Sequence, residues 1–386
     1  MNSIELFAGG GGLALATAKS GFNHSFLVEW DSDSAATLKH NSQFFHLDFG
    51  ADLIFNGDVR SVNFSRFSEK IDLLSGGPPC QPFSIGGKSK AYNDSRDMFP
   101  QAVRALLEIK PRAFIFENVR GLLRKNFSCY FNYIILQLTY PEITIKEKQS
   151  WEEHLSILEK HHTSSSFYEG LKYNVVFRLV NAADYGVPQK RERVFIVGFR
   201  SDVKGDWAFP EPTHSKEALE YVKFCTGEYW EKHGMLSRAS KSYSSNFLFP
   251  QEKKPWVTVR DVISDLPNPQ SDDNNVPNHV FQSGAKVYAG HTGSLLDDPS
   301  KTIKAGSHGV PGGENMIVLD DGSVRYYTVR EAARIQTFPD DYIFPCSWTE
   351  SMRQIGNAVP VQLGKIMSDS VARVLKNERN NSIQSA

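Results

Sequence analysis

Apolar and polar positions alternate along the first half of the chain in a way that predicts strands separated by helices. Apolar runs at Ser3–Phe7, His24–Trp30, Ala51–Val59, Ile71–Leu74 and Ala113–Val119 are the length of strands and short for core helices. Between them, Leu13–Lys19, Asp33–His40 and Phe99–Lys110 read as helices, the last with Val103, Leu106 and Leu107 on one face. Tyr173–Val180 and Arg193–Gly198 alternate and predict a strand pair. Such an order predicts an α/β fold whose sheet is parallel wherever a helix returns the chain to it. Trp151–Lys160 predicts a further helix, and His161 and His162 a surface loop; the rest of 124–170 yields no assignment. After Arg200 the periodicity dissolves into segments rich in Pro, Ser, Asn and Gly, which predicts a domain boundary near residue 200. It returns at Thr328, where Thr328 and Glu331 carry the capping-box spacing. A final helix places Leu363, Ile366, Met367, Val371 and Val374 at helical intervals, with a polar tail expected from Asn377.

Composition narrows this picture. A chain of 386 residues has room for two domains or one large one. Its 43 Lys and Arg balance 44 Asp and Glu, so bulk charge gives no support for a nucleic-acid partner, and any such surface must be local. The opening residues lack the basic and apolar regions of a signal peptide, and no apolar run approaches a membrane span, so a cytoplasmic protein without membrane contact is expected. Cys80, Cys129, Cys225 and Cys346 form no Cys-x-x-Cys pair, which argues against zinc and against a disulfide framework; no metal is expected.

The chemistry concentrates where strands end. Phe7-Ala8-Gly9-Gly10-Gly11 joins the first strand to the first helix, and Gly9-x-Gly11-x-x-Ala14 satisfies a dinucleotide fingerprint that alone does not separate one adenosine cofactor from another. Glu29, about 20 residues on, is placed to hold ribose hydroxyls. Trp30 beside it is either an adenine platform or core, and Asp58 either an acceptor for the adenine amine or a cap. The fourth run ends in Gly76-Gly-Pro-Pro-Cys80, which lifts one thiol off the strand on a stiffened loop. A nucleophile and a buried structural cysteine are both open on this local pattern. A strand–helix–strand unit brings Glu117 to a neighbouring parallel strand, so thiol and carboxyl face one pocket. Gln189, Arg191 and Arg193 alternate along one strand face, where two guanidinia suit a phosphate or a polarised carbonyl, unless they line a solvated edge.

Together these segments resemble the bacterial-type DNA (cytosine-5) methyltransferases. The resemblance rests on Glu5-Leu-Phe-Ala-Gly-Gly-Gly-Gly12, Glu29-Trp30, Gly57-Asp58, Gly77-Pro-Pro-Cys80-Gln-Pro-Phe-Ser84, Glu117-Asn118-Val119, Gln189-x-Arg191-x-Arg193, Arg330-Glu331-Ala-Ala-Arg334-Ile-Gln336 and Gly356-Asn357-Ala358-Val359, in that order over nearly the whole chain. It implies a class I S-adenosylmethionine-dependent methyltransferase fold: a Rossmann-like mixed sheet with a smaller, loop-rich target-recognition domain across a DNA cleft. Residues 1–200 and 350–386 would form the catalytic domain, and 201–349 the small one, with recognition within about 201–327.

It further implies that Cys80 adds to C6 of a flipped-out cytosine. Glu117 would act as a protonated acid at N3, Arg193 at O2, Arg191 beside the thiol, and Asn118 as the residue that orients Pro79. S-adenosylmethionine would lie against Phe7, Ala8, Gly9, Gly11, Glu29, Trp30, Asp58, Val59, Pro79, Asn357, Ala358 and Val359, leaving as S-adenosylhomocysteine. Gln81, Ser84, Lys88 and Arg96 on the Gln81–Asp97 lid, with Thr302, Ile303 and Arg330, would contact double-stranded DNA. A bacterial monomer is expected, paired in function with a restriction endonuclease. A tRNA cytosine-5 methyltransferase is the runner-up, though its Cys-Phe-Thr element is replaced here by Phe224-Cys225-Thr226. A catalytically silent DNA-binding relative is the alternative from another class.

Overall fold

The structure is a computed structural model that describes all residues except 48–49, 80–96, 165–167, 239–251, 289–291, 307–314 and 385–386. Its described residues fall into two compact units. One comprises Met1–Val180, Glu192–Phe209 and Met367–Ala386; the other comprises Asn181–Arg191 and Pro210–Ile366. The first break near residue 200 was expected; Asn181–Arg191 and residues 350–366, assigned from sequence to the catalytic domain, belong to the second unit.

In the first unit the strands are β1 (Asn2–Leu6), β2 (Asn23–Glu29), β3 (Ile54–Asn56), β4 (Leu73–Gly76), β5 (Ala113–Val119), β6 (Tyr173–Asn181) and β7 (Glu192–Arg200). They form one sheet in the order β3–β2–β1–β4–β5–β7–β6. Strands β1 to β5 pair in parallel, and β7 runs antiparallel to β5. Residues 113–118 of β5 and all of β4 are buried without alternation, as in strands covered on both faces. The register matters for function. Phe55, Val28, Leu6, Gly76 and Phe116 are level across the sheet. The residues that follow them, Gly57-Asp58, Glu29-Trp30, Phe7–Gly11, Gly77–Pro79 and Glu117-Asn118, therefore emerge along one edge, the position where ligands bind in such sheets. Gly76 is required there: a Cβ on it would lie 2.4 Å from the carbonyl oxygen of Leu6.

The helices of this unit are α1 (Gly12–Lys19), α2 (Ser32–His40), α3 (Phe99–Ile109), α4 (Ser128–Thr139) and α5 (Trp151–Thr163). Helix α4 carries no sequence signal because Tyr130, Phe131, Tyr133, Ile134, Leu136 and Leu138 are all buried, leaving no polar face to mark a period. The third strand is shorter than the run Ala51–Val59, since Gly50–Leu53 is a 3₁₀ turn and Asp58 caps another.

The second unit contains α6 (Lys216–Phe224), α7 (Glu228–Lys232), α8 (Val259–Ile263), α9 (Val329–Ile335) and α10 (Trp348–Asn357), with two small sheets. Thr328 caps α9 with Glu331 in the expected reciprocal box, and Thr258 with Asp261 does the same for α8. The last helix, α11, runs Val361–Gln384, so the polar tail expected from Asn377 continues as helix. Among the described residues no helix is long and apolar enough to cross a membrane.

His24 of β2 is wholly buried beneath α1, with Nδ1 3.1 Å from Ser3 Oγ and Nε2 2.9 Å from the Ala14 carbonyl oxygen. Burial pulls its pKa from 6.5 down to about 4, so the imidazole is neutral in the folded state. The unfolded chain then binds a proton first, and stability present above pH 6.5 is lost as pH falls toward 4. We expect this limb to amount to about 3 kcal/mol and to flatten in His24→Asn, measured by urea unfolding across that range. An unchanged slope would assign the acid limb to other groups.

Candidate active site

The edge residues of β1, β2 and β3 surround the glycine turn. Phe7, Gly9 and Gly11 all have left-handed backbone, with φ of 57°, 54° and 85°. For Phe7 this is a strained conformation, of the kind that collects at functional sites. A Cβ on Gly9 would meet nothing within 4 Å, so the turn borders open space. Ala8 is buried and its amide bonds to the Val28 carbonyl oxygen at 3.1 Å, fixing the turn over β2. Glu29 is buried; its Oε2 accepts the Gly9 amide at 2.7 Å and its Oε1 the Asp31 amide at 2.8 Å. Trp30 is 68% exposed, which decides against a core role. The Asp58 carboxylate accepts the Arg60 amide and Nε and is held below its usual range by Arg60. The carbonyl oxygen of buried Val59 receives Arg104 Nη2 at 2.8 Å from α3, a support the sequence did not reveal.

The edge of β4, β5 and β7 holds an acid and a guanidinium. Val119 pairs in register with Arg193, and Glu117 lies two residues before it. Arg193 Nε is 2.8 Å from Glu117 Oε1, with both side chains largely buried. Burial depresses the Arg193 pKa, and the Glu117 carboxylate opposes that shift. A Cβ on Gly77 would be 3.5 Å from Glu117 Oε2, so the loop leaving β4 passes beside this carboxyl. Asn118 Nδ2 donates to the Pro78 carbonyl oxygen at 2.9 Å, and its Oδ1 accepts the Val119 amide. The Met98 amide donates to the Pro79 carbonyl oxygen at 3.1 Å, while buried Asp97 accepts the Phe99 amide and the Tyr130 hydroxyl. Cys80, Gln81, Ser84, Lys88 and Arg96 lie outside the described residues.

Several expected roles are corrected. Arg191 and Arg193 do not share a strand face, because β7 begins at Glu192. Arg191 is fully buried in the second unit, its Nη atoms donating to the carbonyl oxygens of Ile303, Gly356 and Ala358. It is a brace, so its assignment beside a thiol is withdrawn. Ile303 is buried, its amide donating to Gln189 Oε1, and the Thr302 hydroxyl donates to the Lys190 carbonyl oxygen. These contacts hold the 302–303 backbone rather than present the Ile303 side chain to a duplex. Asn357 ends α10 in an exposed position, Val359 is buried, and the Ala358 carbonyl oxygen accepts Arg191 and Gln336. Asn315, which clasps Lys304 through both its amide atoms, had no signal in the sequence.

Arg330, expected on DNA, is 0% exposed. Its Nε, Nη1 and Nη2 donate to the carbonyl oxygens of Pro277, Pro339 and Tyr342, each at 3.1 Å. Arg330→Ala would leave those buried acceptors unmet, and we expect a loss of about 3 kcal/mol or more. Arg330→Lys, with one point donor for three directions, should recover little of it. Thermal and urea unfolding check this; weakened DNA binding at unchanged stability would restore the surface role.

Comparison with known proteins follows the same lines as this geometry. The C-5 cytosine-specific DNA methylase family matches residues 1–141 and 158–373. The chain is 32% identical over 380 residues to the Type II methyltransferase M.PspPI of Psychrobacter, covering 96% of this chain and 79% of that protein. It is 31% identical to the Type II methyltransferase M.AplI of Arthrospira platensis, covering 97% and 86%. Its fold matches the S. pombe Dnmt2 methyltransferase with a TM-score of 0.57 at 16% identity, over 98% and 99% of the two chains. The fold is thus that of class I S-adenosylmethionine-dependent methyltransferases, and the chain belongs to the C-5 cytosine-specific DNA methylases: it is a DNA (cytosine-5-)-methyltransferase.

Proposed function

We propose that this enzyme methylates one cytosine within a specific duplex DNA sequence through a transient bond between Cys80 and the base. The observation that supports this most directly is the Glu117–Arg193 pair beside the loop leaving β4, with Asn118 holding Pro78 two residues before Cys80. C5 of cytosine is a poor nucleophile. A Cys80 thiolate adding at C6 moves the ring's electron pair toward C5 and N3, and Glu117 delivers a proton to N3. Arg193 favours the charged form of that carboxyl in the free enzyme. The proton is therefore taken up as the base enters, and the guanidinium, turned to the base, receives O2. S-adenosylmethionine, when bound, supplies the electrophilic methyl group that C5 takes. Loss of the C5 proton to a base, water among the candidates, then breaks the C6–S bond and restores the ring.

The turn at Phe7–Gly11 fits that cofactor in three respects. It borders open space at Gly9, it has a buried carboxylate at Glu29 fixed by two amides, and it has an exposed indole at Trp30 suited to an adenine face. The target carbon is unreachable inside a helix, so the cytosine leaves the stack. The loop-rich 201–327 segment would read base edges, with its lysines on phosphates. The relatives named Type II methyltransferases suggest an endonuclease of the same specificity.

Transfer of a labelled methyl group to duplex DNA, with tRNA as the control, tests the reading, and base-resolution sequencing of the modified strand identifies the cytosine. Label appearing in tRNA and absent from DNA would overturn it.

A further inference from the structure

The mechanism above leaves one buried acid without a task. Glu5, at the centre of the sheet on β1, is 1% exposed. Its Oε2 accepts the Ser75 hydroxyl at 2.5 Å from β4, directly across the register. Its carboxyl also accepts the backbone amide of Ala14. Ala14 is the third residue of α1, whose cap residue Gly11 offers no side-chain acceptor. Glu5 thus replaces the missing cap from below, reaching the amide that a Ser or Asp at position 11 would otherwise hold. One side chain therefore touches the helix that issues from the glycine turn and the strand that leads into Gly77-Pro-Pro-Cys80.

We propose that Glu5 is a positioning residue that fixes the glycine turn against the catalytic strand as a neutral, hydrogen-bonded bridge. This rests on reading the turn as the cofactor site. The titratable side chains on the elements packed against it, among the described residues, are few. On β2, His24 bonds the Ala14 carbonyl oxygen and Glu29 is held by the Gly9 and Asp31 amides; on α1, Lys19 is exposed at the far end; β4 offers the Ser75 hydroxyl. None of these places a cation on the carboxyl. Burial accordingly raises the Glu5 pKa from 4.5 to about 8, so the bridge is neutral at pH 7. Above that it acquires an uncompensated charge beneath α1.

The test is the dissociation constant of S-adenosylhomocysteine for the full-length enzyme, by calorimetry without DNA, from pH 6 to 9. Glu5→Gln keeps the shape and remains neutral. It should bind within about threefold of wild type at pH 7 and lack the weakening that wild type shows above pH 8. Glu5→Ala, and Ser75→Ala on the strand side, should each weaken binding about tenfold, with Glu5→Asp recovering part of the loss. Equal affinity in wild type and Glu5→Ala, or a Glu5→Gln profile that superimposes on wild type, would overturn the proposal. So would a Ser75→Ala variant that changes melting temperature alone. Wild type failing to bind the probe at any pH would instead remove the reading of the turn on which the proposal rests. If Glu5→Ala does not fold, the Glu5→Gln profile and the Ser75→Ala affinity still decide.

Discussion

Replacing Cys80 with serine is expected to lower methyl transfer to duplex DNA by about 10⁴-fold or more, the scale on which loss of a nucleophile registers. Binding of S-adenosylhomocysteine should stay within a few-fold, because the glycine turn, Glu29 and Trp30 are on other strands. The reason for so large an effect is the ionisation of the attacking group. A thiol becomes a thiolate near neutral pH, whereas a serine hydroxyl needs a strong base beside it. The groups described around this loop are a carboxyl already paired with Arg193 and an asparagine already on Pro78, neither a free base for a hydroxyl. A duplex carrying 5-fluorocytosine gives the cleaner readout. Fluorine stands where the departing proton would be, so the C6–S bond cannot be broken by the normal last step. Wild type should accumulate a covalent protein–DNA species mapping to residue 80, and Cys80→Ser none. An adduct in the serine variant, or transfer near the wild-type rate, would sink the covalent scheme.

What the chain reveals before folding is mostly topological. In a parallel sheet, the residue after the last buried position of a strand must emerge at the same edge as its neighbours. Glu29 and Glu117 were legible for that reason, from the apolar runs ahead of them. Asn118 was legible as a support for the proline loop, and its amide does reach Pro78. The arginines were not. Gln189, Arg191 and Arg193 have the alternation of one strand face, yet the strand starts at Glu192, and alternation means nothing outside a strand. A sequence also cannot distinguish a guanidinium in solvent from one enclosed by carbonyl oxygens, because the acceptors for Arg330 lie at residues 277, 339 and 342 and for Arg191 at 303, 356 and 358. Both were read as ligands of a substrate and are instead ties within the second unit. Glu5 shows the reverse: its acidity was visible in the sequence, but its pairing with Ser75 and Ala14 needed β1 and β4 side by side.

Glu117→Gln should slow methyl transfer by about 10² to 10⁴-fold, the range of a lost general acid, with little change in cofactor affinity. The amide keeps the volume and can still accept from Arg193, but it gives up no proton to N3. The substitution also removes the charge facing a buried guanidinium, and Arg193 is already pressed toward its neutral form by burial. A loss of activity from misfolding must therefore be separated from a loss of acid catalysis. Chemistry offers the separation. Once Cys80 has added to C6 and N3 holds its proton, C5 can exchange its hydrogen with water even with no methyl donor present. Release of tritium from C5 of the target cytosine, without cofactor, reports that first half alone. If Glu117 delivers the proton, Glu117→Gln should depress tritium release and methyl transfer by the same factor, and its unfolding transition should remain cooperative. If Glu117 only anchors Arg193, Glu117→Gln should exchange near the wild-type rate once folded. The double variant Glu117→Gln with Arg193→Met, which removes the buried charge, should then recover methyl transfer along with stability. Recovery of stability without recovery of either rate is the outcome that assigns the acid to Glu117.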